Sequence, residues 1–247
     1  MIAADVYVRE KLAGHFSKRD DGLVAFDYVE GATTPVATTL PIGGAPYVTA
    51  GGALPPFFTN LLPEGRRLST LKRSVKASLD DELSLLLAVG NDTVGDVRVV
   101  PHGQQPKTAP ASIDLTGKLD FTAALTAAGI ADPIAVPGVQ DKASARTIAA
   151  PVRGGGTDFI LKVSPPEYPK LVENEAACFD IARPAGFPLA DTQLLHDASG
   201  RPGLLITRFD RIGNERMHVE DAAQIMGLYP SAKYDPSMEG VAEALMG

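Results

Sequence analysis

Cysteine, tryptophan, histidine and long apolar runs are all scarce in this chain. Its 247 residues include one cysteine, Cys178, no tryptophan and four histidines. A lone cysteine excludes a disulfide scaffold within the chain and argues against a cysteine-based zinc site. His15, His102, His196 and His218 are scattered, with no pair at metal-ligand spacing. No stretch approaches the roughly 20 apolar residues of a membrane-spanning helix. The N-terminal Met-Ile-Ala-Ala-Asp lacks a basic segment followed by an apolar one, so no signal peptide is read there, and a reduced, cytoplasmic location is expected. Cationic excess is missing too: 23 Lys+Arg face 30 Asp+Glu, a net charge of −7. That balance disfavours broad electrostatic binding of nucleic acid. What is present is globular composition, 45% hydrophobic and 21% charged, with 24 Gly and 20 Pro predicting many turns.

The pattern along the chain divides it into residues 1–100, a linker at 101–112 and a second region at 113–247. In the first part, Asp5–Arg9 and Val24–Tyr28 alternate as strands, and with Gly14–Ser17 they predict an antiparallel meander. A short helix is expected at Pro56–Leu62, with proline tolerated in its first turn. A polar helix at Arg66–Val75 follows, carrying Arg66, Arg67, Lys72 and Arg73. The next helix reads as capped by Ser78, with Asp80, Asp81 and Glu82 in its first turn and Gly90 as C-cap. Val97–Val100 is a strand. The second region predicts a helix near Asp120–Ala128 and strands at Lys142–Ala149 and Thr157–Val163, joined by Arg153–Gly156. A helix at Leu171–Arg183 comes next, then a hairpin of Thr192–His196 and Gly203–Arg208, and helices at Glu220–Met226 and from Gly240. The last helix is apolar on one side and short, which reads as a chain cut inside a larger domain.

Three segments bear chemistry. Ile134–Lys142 joins two extended stretches. Its Gly138 lets backbone N–H groups approach phosphate oxygens and Lys142 adds charge, although an ordinary β-turn fits the same residues. Lys162 lies in the apolar strand Phe159-Ile160-Leu161-Lys162-Val163, where it must face water or meet a partner. Glu175 is on the following helix, and a strand Lys with a helix Glu is how protein kinases aim an ammonium at nucleotide phosphates. Arg208-Phe209-Asp210-Arg211 ends an apolar strand. It reads either as a kinase hinge or as a hairpin end with a surface Arg–Asp cluster. Other enzyme templates fail: there is no G-x-S-x-G and no H-E-x-x-H.

Taken in order, the segments resemble the HipA family of serine/threonine kinases, the toxin halves of HipBA-type toxin–antitoxin modules. Phe57–Gly65 is similar to F-F-x-N-L-L-P-[DE], and Leu85–Asp96 to L-L-x-x-x-G-x-D-x-x-G-A. Val136–Lys142 is similar to the nucleotide loop V-x-G-[AV]-Q-x-K. Ile160-Leu161-Lys162, Glu173-Asn174-Glu175, Arg208–Arg211, Glu220-Asp221 and Lys233-Tyr234 resemble the later motifs.

The resemblance implies an α+β fold: a small N-terminal α/β subdomain, then a kinase-like N-lobe with an antiparallel sheet, with the C-terminal helical lobe mostly absent. It implies ATP and Mg²⁺ as cofactors. Pro137, Gly138, Val139, Gln140, Asp141 and Lys142 would cover the phosphates, with Lys162 contacting them. Thr207, Arg208 and Phe209 would form the adenine hinge, and Glu175 is added by kinase analogy as the partner of Lys162. Implied partners are a HipB-like DNA-binding antitoxin and a protein substrate, with no membrane and with DNA reached only through the antitoxin. The family's D-G-H-x-K-N stretch and its later Mg²⁺-binding Asp have no counterpart here, so no catalytic or metal-ligating residue is assigned and the chain reads as a fragment unable to catalyse alone. The alternative is a catalytically dead remnant serving as an interaction module. Thr207 replaces the usual acidic residue before R-F-D-R, and Ala135 replaces the serine at which the family's autophosphorylation ejects the loop.

Overall fold

Alternating strands build the first sheet in the computed structural model, which describes residues 2–78, 81–107, 111–128, 130 and 147–246. β1 (Ile2–Val8), β2 (Lys11–Lys18), β3 (Val24–Tyr28), β4 (Tyr47–Thr49) and β5 (Val97–Pro101) lie in the order β4-β3-β2-β1-β5. Every pairing is antiparallel. Ala4, Val6 and Val8, with Phe16, Val24, Phe26, Val97 and Val99, form one apolar face. Against it sit α1 (Pro56–Thr59) and, beyond α2 (Gly65–Val75), α3 (Glu82–Val89). The rings of Phe16, Phe26 and Phe58 meet at 4.7–5.3 Å. Burying each contributes about 1.5–3 kcal/mol, and each ring pair about 0.5–1.5 kcal/mol more.

Two local expectations change here. α1 is a single turn, shorter than Pro56–Leu62. The N-cap of α3 is Asp81, not Ser78: its carboxylate accepts from the Ser84 N–H and hydroxyl. Residues 79 and 80 lie outside the described set. Gly90 does follow α3, but its φ of −65° is helical. Its requirement is space, because a Cβ there would stand 2.1 Å from the Val99 carbonyl oxygen.

The second unit is built from Glu64–Leu71 and Ala109–Arg211. It contains β6 (Ala111–Ser112), α4 (Phe121–Ala127), β7 (Ile148–Gly154), β8 (Thr157–Val163), α5 (Leu171–Ala182), β9 (Thr192–His196) and β10 (Pro202–Thr207). The sheet order is β6-β7-β8-β10-β9, with only β6–β7 parallel. Ile148, Ala150, Val152, Phe159, Leu161 and Val163 pack on Phe121 and Leu125 of α4. Leu204 and Ile206 meet Val172 and Ala176 of α5. The sheet is therefore covered by α4 on one face and α5 on the other. Part of the expected linker is the strand β6. The strand expected at Lys142–Ala149 is described only from Ile148 and runs on to Gly154. Arg153 belongs to this strand, held by two hydrogen bonds to Asp158 at 2.6 and 2.7 Å. The turn is then Gly155–Gly156, both at positive φ.

Residues from Ile212 on join Met1–Pro63 and Lys72–Thr108 in the first unit. Buried Arg216 donates to Asn91 O and Asp92 Oδ1, both at 3.1 Å. His218 bridges Asp96 and Glu220, each at 2.9 Å, and Glu220 accepts from the N–H and hydroxyl of Thr38. α6 (Ala222–Ile225) starts in a capping box between Asp221 and Gln224, and Asp221 also pairs with Lys233 at 2.9 Å. Gln224 donates to Phe57 O, and Asn60 to Leu228 O. α7 (Met238–Met246) buries none of its residues. No helix among the described residues is long and apolar enough to cross a membrane.

Gly90→Ala forces the β5 backbone to move, and a cost of about 1–3 kcal/mol is expected, a fall of roughly 2–12 °C in Tm. A Tm equal to that of the parent chain would contradict this. The hydrogen bonds of His218 to Asp96 and Glu220 outweigh its partial burial and push its pKa up to about 9 from 6.5. A raised folded-state value stabilises fully below 6.5, and that stabilisation is lost as pH rises through about 9. Thermal melts across this window should show the parent chain losing more stability than His218→Gln, and parallel curves would contradict it.

Candidate functional site

Strand alternation sets the site. Leu161 and Val163 are fully buried on the α4 side of β8, so Lys162 points to the opposite face. Its cross-strand neighbours are Ala149 of β7 and Leu204 of β10. Leu204 lies in the apolar patch that α5 covers with Val172 and Ala176. Glu175 falls on the same face of α5, one turn after Val172 and next to Ala176. The Lys162 ammonium donates to Glu175 Oε1 at 2.6 Å, and both side chains are under one-third exposed. The start of α5 is fixed by Lys170 in the left-handed region and by the Ser164 hydroxyl, which accepts from Val172 N–H. An ammonium oriented by a carboxylate, with an open side toward solvent, is suited to meeting an anion.

Thr207 ends β10, and Arg208 and Phe209 follow it. Thr207 pairs with Phe159, three strand positions, or about 10 Å, along from the Lys162–Leu204 pair. The Thr207 N–H donates to Asp191 O at 2.8 Å and the Arg208 N–H to Asp158 O at 3.0 Å. Asp158 is held below the usual carboxylate range, chiefly by its hydrogen bonds from Arg153. The Arg–Asp cluster is buried, not at the surface as one sequence reading has it. Arg208 donates to the Asp210 carboxylate at 3.0 and 2.7 Å, and Arg211 donates to its Oδ2 at 2.6 Å and its backbone O at 3.0 Å, with Arg208 and Asp210 side chains under 5% exposed. Breaking such a buried pair is costly. Phe209, between them, is 65% exposed. Lys162 and Glu175 are thus brought together, and Thr207 ends the adjacent strand with Arg208 and Phe209 just beyond it. Pro137, Gly138, Val139, Gln140, Asp141 and Lys142, with Ala135, lie outside the described residues.

One group escaped the sequence reading: Asp5, His15 and His102 converge in the first unit. The alternation in Asp5–Arg9 puts Asp5 opposite the core face, but it does not say which histidines meet it.

Comparison with known proteins finds two family models in order along the chain. Residues 4–100 match the family model described as the HipA N-terminal domain, and residues 134–247 match the HipA-like C-terminal domain. Y4dM of Sinorhizobium fredii, named as a presumed kinase, is 35% identical over 202 residues, covering 74% of this chain and 47% of that protein. Y4mE of the same organism, also named as a presumed kinase, is 28% identical over 250 residues, covering 91% of this chain and 59% of that protein. The serine/threonine-protein kinase toxin HipA of Shewanella oneidensis is 27% identical over 224 residues, covering 81% of this chain and 49% of that protein. A solved Shewanella oneidensis complex of HipA, HipB and operator DNA has a chain with the same fold. Its TM-score is 0.71 at 21% identity, covering 97% of this chain and 60% of that one. The chain spans about half to three-fifths of the length of these relatives. With both family models met in order and the same fold found in a solved HipA, the chain belongs to the HipA family.

Proposed function

We propose that the chain carries the nucleotide-binding part of an ATP-dependent serine/threonine protein kinase, the toxin of a toxin–antitoxin module. The observation that carries this reading is the Lys162–Glu175 pair, an ammonium on an inner strand aimed by a helix carboxylate at 2.6 Å. The names of the relatives as kinases support it. Lys162 would hold ATP phosphates while Glu175 keeps it in place. Pro137–Lys142 would cover the phosphates through backbone N–H groups. The N–H groups of Thr207 and Arg208 already serve the unit's own carbonyls, so adenine contact falls to exposed Phe209 and to other backbone groups of this stretch. Bound ATP supplies the phosphoryl group, with Mg²⁺ offsetting its charge. Among the described residues the group of three possible metal ligands lies in the first unit and is rich in histidine, unlike the oxygen ligands that Mg²⁺ prefers.

The first unit is proposed as the surface for a HipB-like antitoxin in the cytoplasm, with DNA met only through that partner. The support is that the solved relative is a HipA–HipB–DNA complex, while this chain is acidic, at −7.

Isothermal titration of the 247-residue chain with ATP should give weak binding, a dissociation constant of roughly millimolar order or about −4 kcal/mol. Lys162→Ala should weaken it about tenfold or more, and Glu175→Gln by less, since the ammonium stays but loses its aim. Unchanged affinity in a folded Lys162→Ala chain overturns the nucleotide reading. Incubated with labelled ATP, Mg²⁺ and protein substrates, the chain should transfer no phosphate. Sustained transfer lost in Lys162→Ala would show that the 247 residues themselves contain the catalytic machinery.

A further inference from the structure

Asp5 stands on the face of the first sheet opposite the core residues Ala4 and Val6. β1 and β2 pair with a register shift between Val6 and Tyr7, and beyond it Asp5 lies directly across from His15. The turn after β5 delivers His102. It is closed by the Gln104 N–H to Pro101 O, with Gly103 at φ 78°, and the His102 N–H is tied to Ala3 O. Both imidazole Nδ1 atoms lie 2.7 Å from the same oxygen, Asp5 Oδ1. The rings meet edge to face at 5.4 Å. The other carboxylate oxygen, Oδ2, accepts the Gly103 N–H at 2.8 Å, which fixes the orientation of Oδ1. The Asp5 side chain is 5% exposed, whereas those of His15 and His102 are 41% and 63% exposed. Burial opposes the charge on Asp5, but the hydrogen bonds from His102, Gly103 and His15 more than compensate and keep it ionised. The result is an oriented anion at the bottom of a site walled by two imidazoles and open to water.

We infer that Asp5, His15 and His102 form a binding site for a borderline divalent cation, best matched by Zn²⁺. Two imidazoles and one carboxylate suit zinc and its late first-row neighbours, whereas Mg²⁺ and Ca²⁺ prefer all-oxygen shells. The ligands are Asp5 Oδ1, His15 Nδ1 and His102 Nδ1, and water completes a tetrahedron. At Zn–N and Zn–O distances of about 2.0–2.2 Å, tetrahedral neighbours stand roughly 3.3–3.5 Å apart. Each imidazole therefore withdraws by about 0.6–0.8 Å from its hydrogen-bonded place, a motion that exposed side chains make freely. Without metal, each ring donates its Nδ1 proton to the carboxylate. With metal, Nδ1 offers its lone pair and the ring proton sits on Nε2. Gly103 N–H on Oδ2 is the outer contact that orients the carboxylate ligand. The ion would join β1, β2 and the turn after β5.

The test uses the untagged 247-residue chain, stripped with chelator and titrated with Zn²⁺ by calorimetry. The expected result is one Zn²⁺ per chain at micromolar affinity or better, with affinity reduced about tenfold or more in His15→Ala and in His102→Ala. Each variant removes a hydrogen bond to the buried Asp5 carboxylate, so thermal melts in chelator are recorded beside the titrations to show that both variants are folded. Long-range ¹H–¹⁵N spectra of the four imidazoles provide a reading on the unmodified chain. Zn²⁺ should convert two rings from the Nδ1–H to the Nε2–H form and leave the other two unmoved. Zinc should also raise the Tm, reversibly with chelator. The inference is overturned by no Zn²⁺ binding in the micromolar range, by binding that both variants retain unchanged, or by spectra in which no pair of rings changes tautomer. None of these outcomes bears on the ATP titration, which concerns residues of the other unit.

Discussion

Lys162 stands between Leu161 and Val163, both fully buried, and an ammonium in such a strand is tolerated only with an anion at hand. Glu175 provides it at 2.6 Å, and the second unit is arranged around that need. The pair requires a helix on the Lys162 side of the sheet, registered so that Glu175 faces inward with Val172 and Ala176. It also requires the opposite side to be sealed, which α4 does with Phe121 and Leu125. Truncating the lysine would leave a partly buried carboxylate without its counter-charge, so the helix and the strand hold one another's position. What this leaves for function is an ammonium already immobilised before any ligand arrives, which lowers the entropy lost on binding an anion.

Much of this was legible from residues. Alternation through Phe159–Val163 places Lys162 on its own face, and the short interval to Glu175 in a helical segment makes their meeting plausible before any coordinates. The α+β organisation, the meander and the hairpin of β9 and β10 also follow from periodicity and turn residues. The failures have specific causes. Gly90 looks like a helix cap because glycine commonly is one, but its role is the approach of Val99, a contact between segments that spacing does not reveal. Arg208–Arg211 reads as surface charge because burial is not encoded in composition. The Asp5 cluster was hidden by a single irregularity. Without the register shift in β1–β2, Asp5 would oppose Gly14 and His15 would oppose Ala4 on the core face. One extra residue turns a histidine from the interior to the carboxylate.

Several motifs that carry the family resemblance turn out to be ties within the first unit. Phe57–Asn60 receives Gln224 and reaches Leu228, and Thr59 joins the Leu54 N–H in donating to Glu82. Asp92 and Asp96 hold Arg216 and His218, while Glu220 holds Thr38 and Asp221 holds Lys233. These polar residues sit at spots where a buried or half-buried partner would otherwise be unsatisfied, which is reason enough for a motif without chemistry at the site.

That first unit draws on both ends of the chain, while the second closes at Arg211. On the ribosome the first sheet and its core emerge early, while the segment from Ile212 that completes this unit emerges only after the second unit. About 100 residues separate Thr108 from Ile212, and at about 5–20 residues per second the early strands wait roughly 5–20 s for the segment carrying Arg216, His218 and Gln224. During that interval Asp92 lacks Arg216, Asp96 has Arg9 but lacks His218, and the α1 carbonyl of Phe57 lacks Gln224. The later-starting second unit has all its parts as soon as Arg211 leaves the exit tunnel. Vectorial synthesis thus completes the strands and apolar core of the first sheet early, all from residues 2–101, and adds the polar ties of Arg216, His218 and Gln224 last.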